Sequence, residues 1–346
     1  MISLELNPTE KAWKEFLNKE EHLIFHTPKY KKFIEEAFNC QYTFVSVVDN
    51  ETIQTTIPIV KIKSKLFGNK IISSAYLEYG GFAGRTEFVE KIIKTLDKKF
   101  KSDYNFLEIR GGLEEYDSVL SEKLVKKNLY KRFVLKLDGE EKVWNKFRQK
   151  TRTDIRRGIK NNLTIGRGWH FLDQFYKVYV QNMIQNNAVI HSKKYFIDLS
   201  KNLGEKASLF VVLDGSKVIA GMVVLYSKTV AEFYIGAWNR KYAKKSPYSF
   251  MFWNAITDAI NKGIEKIDMG ESRLGSGTYK YKVNFGGSPV VNESACIEEK
   301  NRELQTNNRF VKLFIINGIK LILSLKFFSK FKYFYLIRSR KNNKIV

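Results

Sequence analysis

Runs of apolar residues along this chain switch between a strand-like and a helix-like period, and the switches outline its elements. Pro8 and Thr9 precede a stripe through Trp13, Phe16 and Leu17, which predicts a helix over 8–20. "YTFVSVVDNETIQTTIPIVKIKS" (42–64) is two β-branched runs around Asp49-Asn50, a hairpin signal. A third run at 70–84, a helix at 86–100, a strand at 105–112, a helix near 114–127 and a strand at 129–137 follow. Residues 207–271 then repeat the order. "SLFVVLDGSKVIAGMVVLYS" is a hairpin around Asp214-Gly215, "TVAEFYIGAW" a third strand, "SPYSFMFWNAITDAINKG" a helix and "IEKIDMGES" a short strand.

The spacing repeats as well. Asp49 to Glu108 is 59 residues, and Asp214 to Asp268 is 54. This predicts two copies of one α/β unit built on mixed sheets (α+β in arrangement), rather than a doubly wound parallel sheet. The division expected is 1–138, 139–300 and a C-terminal tail at 301–346. Between the copies, "EEKVWNKFRQKTRTDIRRGIKNNLTI" (140–165) puts Trp144, Phe147, Thr151 and Ile155 on one helical face and Arg148, Arg152, Arg156 and Lys160 on another. The cationic row is either a solvated face or an anion-binding one, since each guanidinium can fork onto a phosphate.

Charge sharpens this picture. The chain carries 60 basic and 36 acidic residues, a net of +24. Residues 301–346 supply +10 of that and residues 142–167 supply +8, so the rest of the chain is close to balanced. Such segments seek nucleic acid, anionic lipid or phosphorylated substrates. In the tail, lysines recur among aromatics and aliphatics, and the longest stretch free of charged residues, Leu313–Ile319, is far too short to span a bilayer. That composition suits an anionic membrane surface met through residues 309–341, or a helix packed on the body through Leu321, Ile322 and Leu325. Two distant cysteines and a start without an apolar run fit a reducing cytosol and no signal peptide.

Familiar nucleophile and metal patterns do not occur. The four histidines lack metal spacing, there is no GxSxG, and no metal or cofactor is expected. "GSGTYKYKVNFGG" (275–287) does not have P-loop spacing. Asp268 and Glu271, read as the end of the last internal strand, with Arg273 beside them, are candidate site groups; Asp268 equally suits a turn cap.

Together, "VWNKFRQKTRTDIRRGIKNNLTI", "LFVVLDGSKVIAGMVVLYS", "EFYIGAWNRKY" and "GIEKIDMGES…GTYKYKVNFGGSPV" resemble the FemAB/FemX family over residues 9–298. Those proteins are aminoacyl-tRNA-dependent peptidyltransferases built from two tandem GNAT-like domains. The resemblance implies amide formation on a cell-envelope precursor, lipid- or nucleotide-linked, with aminoacyl-tRNA as donor, at the cytoplasmic face of the membrane. It matches Tyr281-Lys282-Val283-Asn284-Phe285-Gly286 to the family's aromatic–lysine motif, with Tyr281 where Phe is usual. By it, Lys282 handles the donor or the developing oxyanion, Asp268 or Glu271 orients or deprotonates the amine, and Arg152, Arg156 and Arg157 hold acceptor phosphates. Arg273, Tyr281 and Phe285 complete the substrate contacts it implies. Two alternatives stand beside it. One is an acyl-CoA-dependent N-acyltransferase of an amino sugar or glycan, which the glycine-free "NRKYAKKSPYSF" disfavours. The other is a non-catalytic basic protein that binds membrane or nucleic acid.

Overall fold

The computed structural model describes residues 2–63, 69–74, 80–100, 104, 106–111, 116, 125–127, 130–291 and 294–298. The tail at 301–346 and most of the helix expected near 114–127 lie outside the described residues. In chain order the elements are β1 (Ile2–Leu6), α1 (Glu10–Lys19), α2 (Pro28–Phe38), β2 (Tyr42–Asp49), β3 (Thr52–Ile62), β4 (Lys70–Ser73), β5 (Ala83–Gly84), α3 (Val89–Phe100), β6 (Phe106–Arg110), β7 (Val125–Lys127) and β8 (Tyr130–Lys136). They continue with α4 (Glu140–Lys146), α5 (Gln149–Lys160), β9 (Thr164–Arg167), α6 (Leu172–Gln185), α7 (Lys193–Leu203), β10 (Ala207–Asp214), β11 (Lys217–Tyr226), β12 (Val230–Trp238), α8 (Pro247–Asn261), β13 (Lys266–Arg273), α9 (Gly277–Asn284), β14 (Ser288–Val291) and β15 (Ser294–Glu298).

Local chemistry explains most boundaries. Thr9 Oγ1 accepts from Ala12 N at 3.3 Å and starts α1, which buries Trp13 and Phe16. Asn50 and Glu51, both at positive φ, close the β2–β3 hairpin. Gly215, at φ 61°, serves the β10–β11 turn. Two expectations need correction. Val125–Lys127 is a strand, not the end of a helix. The helix expected through 140–165 is two helices, broken where Phe147 turns extended at ψ 141°. The break lets Arg148 N and Thr151 Oγ1 both donate to Asn284 O, at 3.0 and 3.1 Å, which satisfies the C-terminal end of α9.

Two mixed sheets result. The first runs β1-β2-β3-β4-β6-β15-β7, with β5 added to β3, and the second runs β9-β10-β11-β12-β13-β8-β14. Position for position the orders agree, so the repeat read from the sequence is a repeat of architecture. The sheets have exchanged a strand across residue 138: β8 pairs with β13 and β14, while β15 pairs with β6 and β7. Each sheet holds one parallel pair, β4 with β6 and β12 with β13.

One apolar core fills the first half and continues through α6, α7 and one face of the second sheet, with Phe33 meeting Tyr195 at 5.0 Å between ring centroids. A second core lies on the other face of that sheet, under α5 and α8. There Gly158 admits Phe250: a Cβ at 158 would sit 2.6 Å from the Phe250 Cβ.

Candidate active site

β12 and β13 are hydrogen-bonded only from Val230↔Lys266 to Glu232↔Asp268. Beyond that pair they part, and β12 runs on against β11 while β13 runs on against β8. A bulge in each strand lies at the opening, between the partners of Val223 and Val224 on β12 and between Asp268 and Glu271 on β13. Gly270, at φ 74°, makes the second bulge possible. Tyr234, Ile235 and Gly236 are half-buried along the parted stretch. Gly236 faces Tyr248, whose Oη would be 2.6 Å from a Cβ placed there. A larger residue at 236 would push that phenol away.

The glycine-rich stretch is not a loop but a short helix. Ser276 Oγ accepts from Tyr279 N at 3.2 Å and starts α9. From it, the Lys282 ammonium donates to the Glu271 carbonyl at 2.8 Å, on the part of β13 that has left β12, and lies 5.7 Å from the Phe133 ring centroid. Tyr281 sits among Tyr248, Phe252 and Phe285, with its hydroxyl 3.3 Å from Ser249 Oγ. Burial pushes the Tyr281 phenol well above its ordinary pKa, so it stays a neutral donor and acceptor. Lys280 is exposed.

The structure separates the remaining expected site residues. Phe285 is fully buried and packs on Phe147 and Phe252 at 5.1 and 4.9 Å. It is therefore a core residue under α9, not a substrate contact. Asp268 is the third residue of an eight-residue strand and fully buried, not at a strand end. Its Oδ2 accepts from Arg132 Nε at 2.5 Å and its Oδ1 from Gly270 N at 2.8 Å. Both oxygens are occupied, so Asp268 is poorly suited to take a proton from an amine. Glu271 is half-buried and brings its carbonyl to Lys282. Arg273 is exposed at the end of β13.

The basic row lies on α5, apart from Lys282. Arg156 stacks on Trp144, 5.4 Å from the ring centroid, while Arg152 is half-buried. Arg157 reaches Asp154 Oδ1 at 2.9 Å and Ser246 Oγ at 3.1 Å, tying α5 to the start of α8. Beside it a depression of ≈ 380 Å³ is lined by Gln149, Lys150, Thr153, Asp154 and Arg157. The adjoining glycine-free segment has spent its amides internally: Lys241 N on Asn239 Oδ1, Tyr242 N on Asn239 O and Ser246 N on Ala243 O. Pro247 then supplies no N–H to the first turn of α8.

Sequence reasoning missed Glu232. It is 2% exposed, the partner of Asp268 across the parallel pair, and its Oε1 accepts from Ile24 N of the first half at 3.3 Å. Among the described residues its Oε2 has no hydrogen-bond partner. Burial and then the charge of Asp268 raise its carboxyl well above the usual range. The signal in the sequence is a lone acid inside the apolar strand "TVAEFYIGAW".

Other chemistry is not assembled among the described residues. No group of three His, Cys, Asp or Glu there could hold a metal ion. The Cys40 thiol is pushed up to about 11 by burial, which leaves it a poor nucleophile.

Residues 145–283 match the acetyltransferase (GNAT) domain family. No curated protein matches the sequence. Among solved structures the chain is similar to FemX, at 12% identity and a TM-score of 0.68 over 84% of this chain and 96% of that one. It is similar also to the C-terminal domain of a protein described provisionally as a lysylphosphatidylglycerol synthetase from Agrobacterium fabrum, at 11% identity and a TM-score of 0.60 over 90% and 96%. A third is L-PGS from Bacillus licheniformis, at 14% identity and a TM-score of 0.56 over 90% and 97%. At these identities the shared property is the fold. The resemblance read from the motifs is thus upheld as a FemX-like, tandem GNAT-like architecture.

Proposed function

We propose that the protein is an acyltransferase that joins an amine to an activated acyl group on a cell-envelope precursor, with aminoacyl-tRNA as the donor. The carrying observation is the Lys282 ammonium, fixed by the Glu271 carbonyl on the open side of the β12–β13 split, within the stretch that matches the acetyltransferase domain. An ammonium at that place stabilises negative charge as it develops on an ester carbonyl oxygen. The internally bonded amides at 241–246 and Pro247 support an aminoacyl ester over a coenzyme A thioester, because few N–H groups are left to cradle a pyrophosphate.

Arg152, Arg156 and Arg157, with Lys150 at the depression, would take phosphates of the acceptor or donor. Among the described residues no helix is long and apolar enough to cross a membrane. In this reading the protein works peripherally at the inner membrane face, with residues 309–341 meeting the lipid.

Purified protein supplied in parallel with labelled aminoacyl-tRNA and labelled acyl-CoA tests the donor, by which of the two yields an amide product. Lys282→Ala should lower turnover about 100- to 1,000-fold, while Lys280→Ala should leave it nearly unchanged and both should fold. Wild-type turnover in Lys282→Ala would remove this lysine from the site. Steeply salt-dependent anion binding without any turnover would instead favour the non-catalytic scaffold.

A further inference from the structure

Where β12 and β13 part, each lip of the opening carries one polar tip from a helix. On the β13 lip it is Lys282 of α9, at the Glu271 carbonyl. On the β12 lip it is Tyr248 of α8, whose phenol lies on Gly236. Both tips are on one face of the sheet. Gly236 sits opposite Met222 and Lys282 lies over Phe133, and Met222 and Phe133 belong to the core under α5 and α8. The Tyr281 ring, next to Lys282 in α9, links the two tips at 5.5 Å from the Tyr248 ring centroid. Gly236 is a glycine for space and not for its backbone. Its φ is not positive, so any residue could adopt it, yet a Cβ there would stand 2.6 Å from Tyr248 Oη. A glycine inside a strand marks a close approach of this kind. The Tyr248 ring is half-buried and backed by Phe252 at 5.5 Å between centroids. Burial raises the phenol to about 12, so the surface it offers at neutral pH is uncharged.

We propose that Tyr248 is a specificity-determining residue for the donor: its ring walls the β12 lip and limits the size of the acyl group that fits beside Lys282. The assignment rests on the acyl-transfer reading and deepens it. A carbonyl oxygen at the Lys282 ammonium leaves the acyl chain to extend across the opening, and the surface it meets there is the phenol ring on Gly236. Such a wall discriminates by volume. A chain that overlaps the ring must displace it, and the rings of Phe252 and Tyr281 pack against it. Removing the ring opens a slot down to the Gly236 backbone, where no Cβ intrudes, and a branched chain can enter it.

The test compares kcat/KM for donors that differ only in chain size, with Tm measured alongside. The pair is one tRNA charged with alanine or with leucine. Should wild type accept coenzyme A donors instead, propionyl-CoA and isocaproyl-CoA carry the same two chains without the amino group. Hydroxylamine serves as the amine, read above its uncatalysed rate, so the acceptor's identity does not enter. Its nitrogen forms the N–C bond, the ester or thioester bond breaks with its electron pair on the leaving oxygen or sulfur, and the proton lost by nitrogen ends there. In Tyr248→Ala the large-to-small ratio should rise about tenfold or more. In Tyr248→Phe, which keeps the ring, it should stay within about twofold of wild type. A merely structural role would lower both rates and Tm together and leave the ratio in place. An unmoved ratio in folded Tyr248→Ala, or an equal rise in Tyr248→Phe, overturns the assignment and leaves acyl transfer standing. Should Tyr248→Ala not fold, Tyr248→Leu, an apolar chain of lesser reach, decides by the same ratio. Wild type without turnover on any of the four donors overturns the acyl-transfer reading and this assignment with it.

Discussion

The two sheets share a strand order and differ at their parallel pairs. In the first, Glu108 is satisfied within its own strand by Arg110, Nε to Oε1 at 3.1 Å, and faces Ile72. In the second, Asp268 is satisfied from a neighbouring strand by Arg132 and faces Glu232. One repeat carries a single acid at the position. The other retains a second, incompletely satisfied carboxyl there, opens its sheet immediately beyond, and bonds Lys282 to the β13 backbone past that point. Duplicated architecture thus makes one half an internal control for the other, and what the first half lacks marks what the second half adds.

The largest expected effects test whether the two ion pairs are equivalent. Truncating one partner of a buried pair costs about 3–5 kcal/mol, because the other charge is left uncompensated. Glu108→Ala and Asp268→Ala should both fall in that range by urea unfolding. Asp268→Ala should cost more, since it also strips Gly270 N of its acceptor, worth about 1–3 kcal/mol when buried. Equal losses would mean that the β13 bulge does not depend on that bond.

A second expectation concerns the seam between the halves, where the Leu23–His26 turn carries both the N–H given to Glu232 and a buried histidine. His26 Nδ1 accepts from Leu23 N at 3.1 Å, so Nε2 bears the proton and donates to Gly81 O at 2.9 Å. Burial lowers His26 to about 4. The unfolded chain, with an ordinary value near ~6.5, then binds more protons than the folded one between those limits. Stability from His26 is present above that upper limit and is lost as pH falls toward 4, by about 3 kcal/mol. His191, also lowered to about 4 by burial, adds the same sign. Glu232, raised, has the opposite sign: its contribution is present at low pH and fades as pH rises through its folded value. His26→Gln should therefore flatten, without abolishing, the fall in urea midpoint between pH 7 and 4. An unchanged slope would show that the His26 ring is not held neutral.

Local chemistry made much of this legible before the structure. The hairpins at Asn50 and Gly215, the Thr9 start and the repeated element order all depend on neighbours in sequence. The exchanged strands β8 and β15 do not, because 130–136 and 294–298 choose partners far along the chain. The break at Phe147 was hidden for the same reason: Asn284 O, which it serves, is distant in sequence. At the site, the motif resemblance pointed to Lys282, whose ammonium reaches the Glu271 carbonyl beyond the last β12–β13 pair, but it also swept in Phe285, whose ring faces the core. Residue type suggested Asp268 as a base, and only the geometry of Arg132 and Gly270 showed it occupied. Glu232 escaped notice because its flanking residues, Ala231 and Phe233, read as an ordinary buried strand.

The smallest expected effect asks whether the basic face of the second half has a task beyond solvation. Arg157 is partly exposed, and its contacts to Asp154 and Ser246 are surface contacts. Such contacts are worth about 0–1 kcal/mol, so Arg157→Ala should barely move the unfolding midpoint. If the depression beside it binds a phosphate, the same change removes a charge-assisted fork worth about 1.5–3 kcal/mol, and KM should rise about tenfold or more with kcat little changed. Raising salt should shrink that difference, because an exposed charge is screened within a Debye length of about 8–10 Å. A KM unchanged at low salt would assign the row Arg152, Arg156 and Arg157 to solvation, and the phosphate-binding part of the proposed function would fall while Lys282 kept its own test.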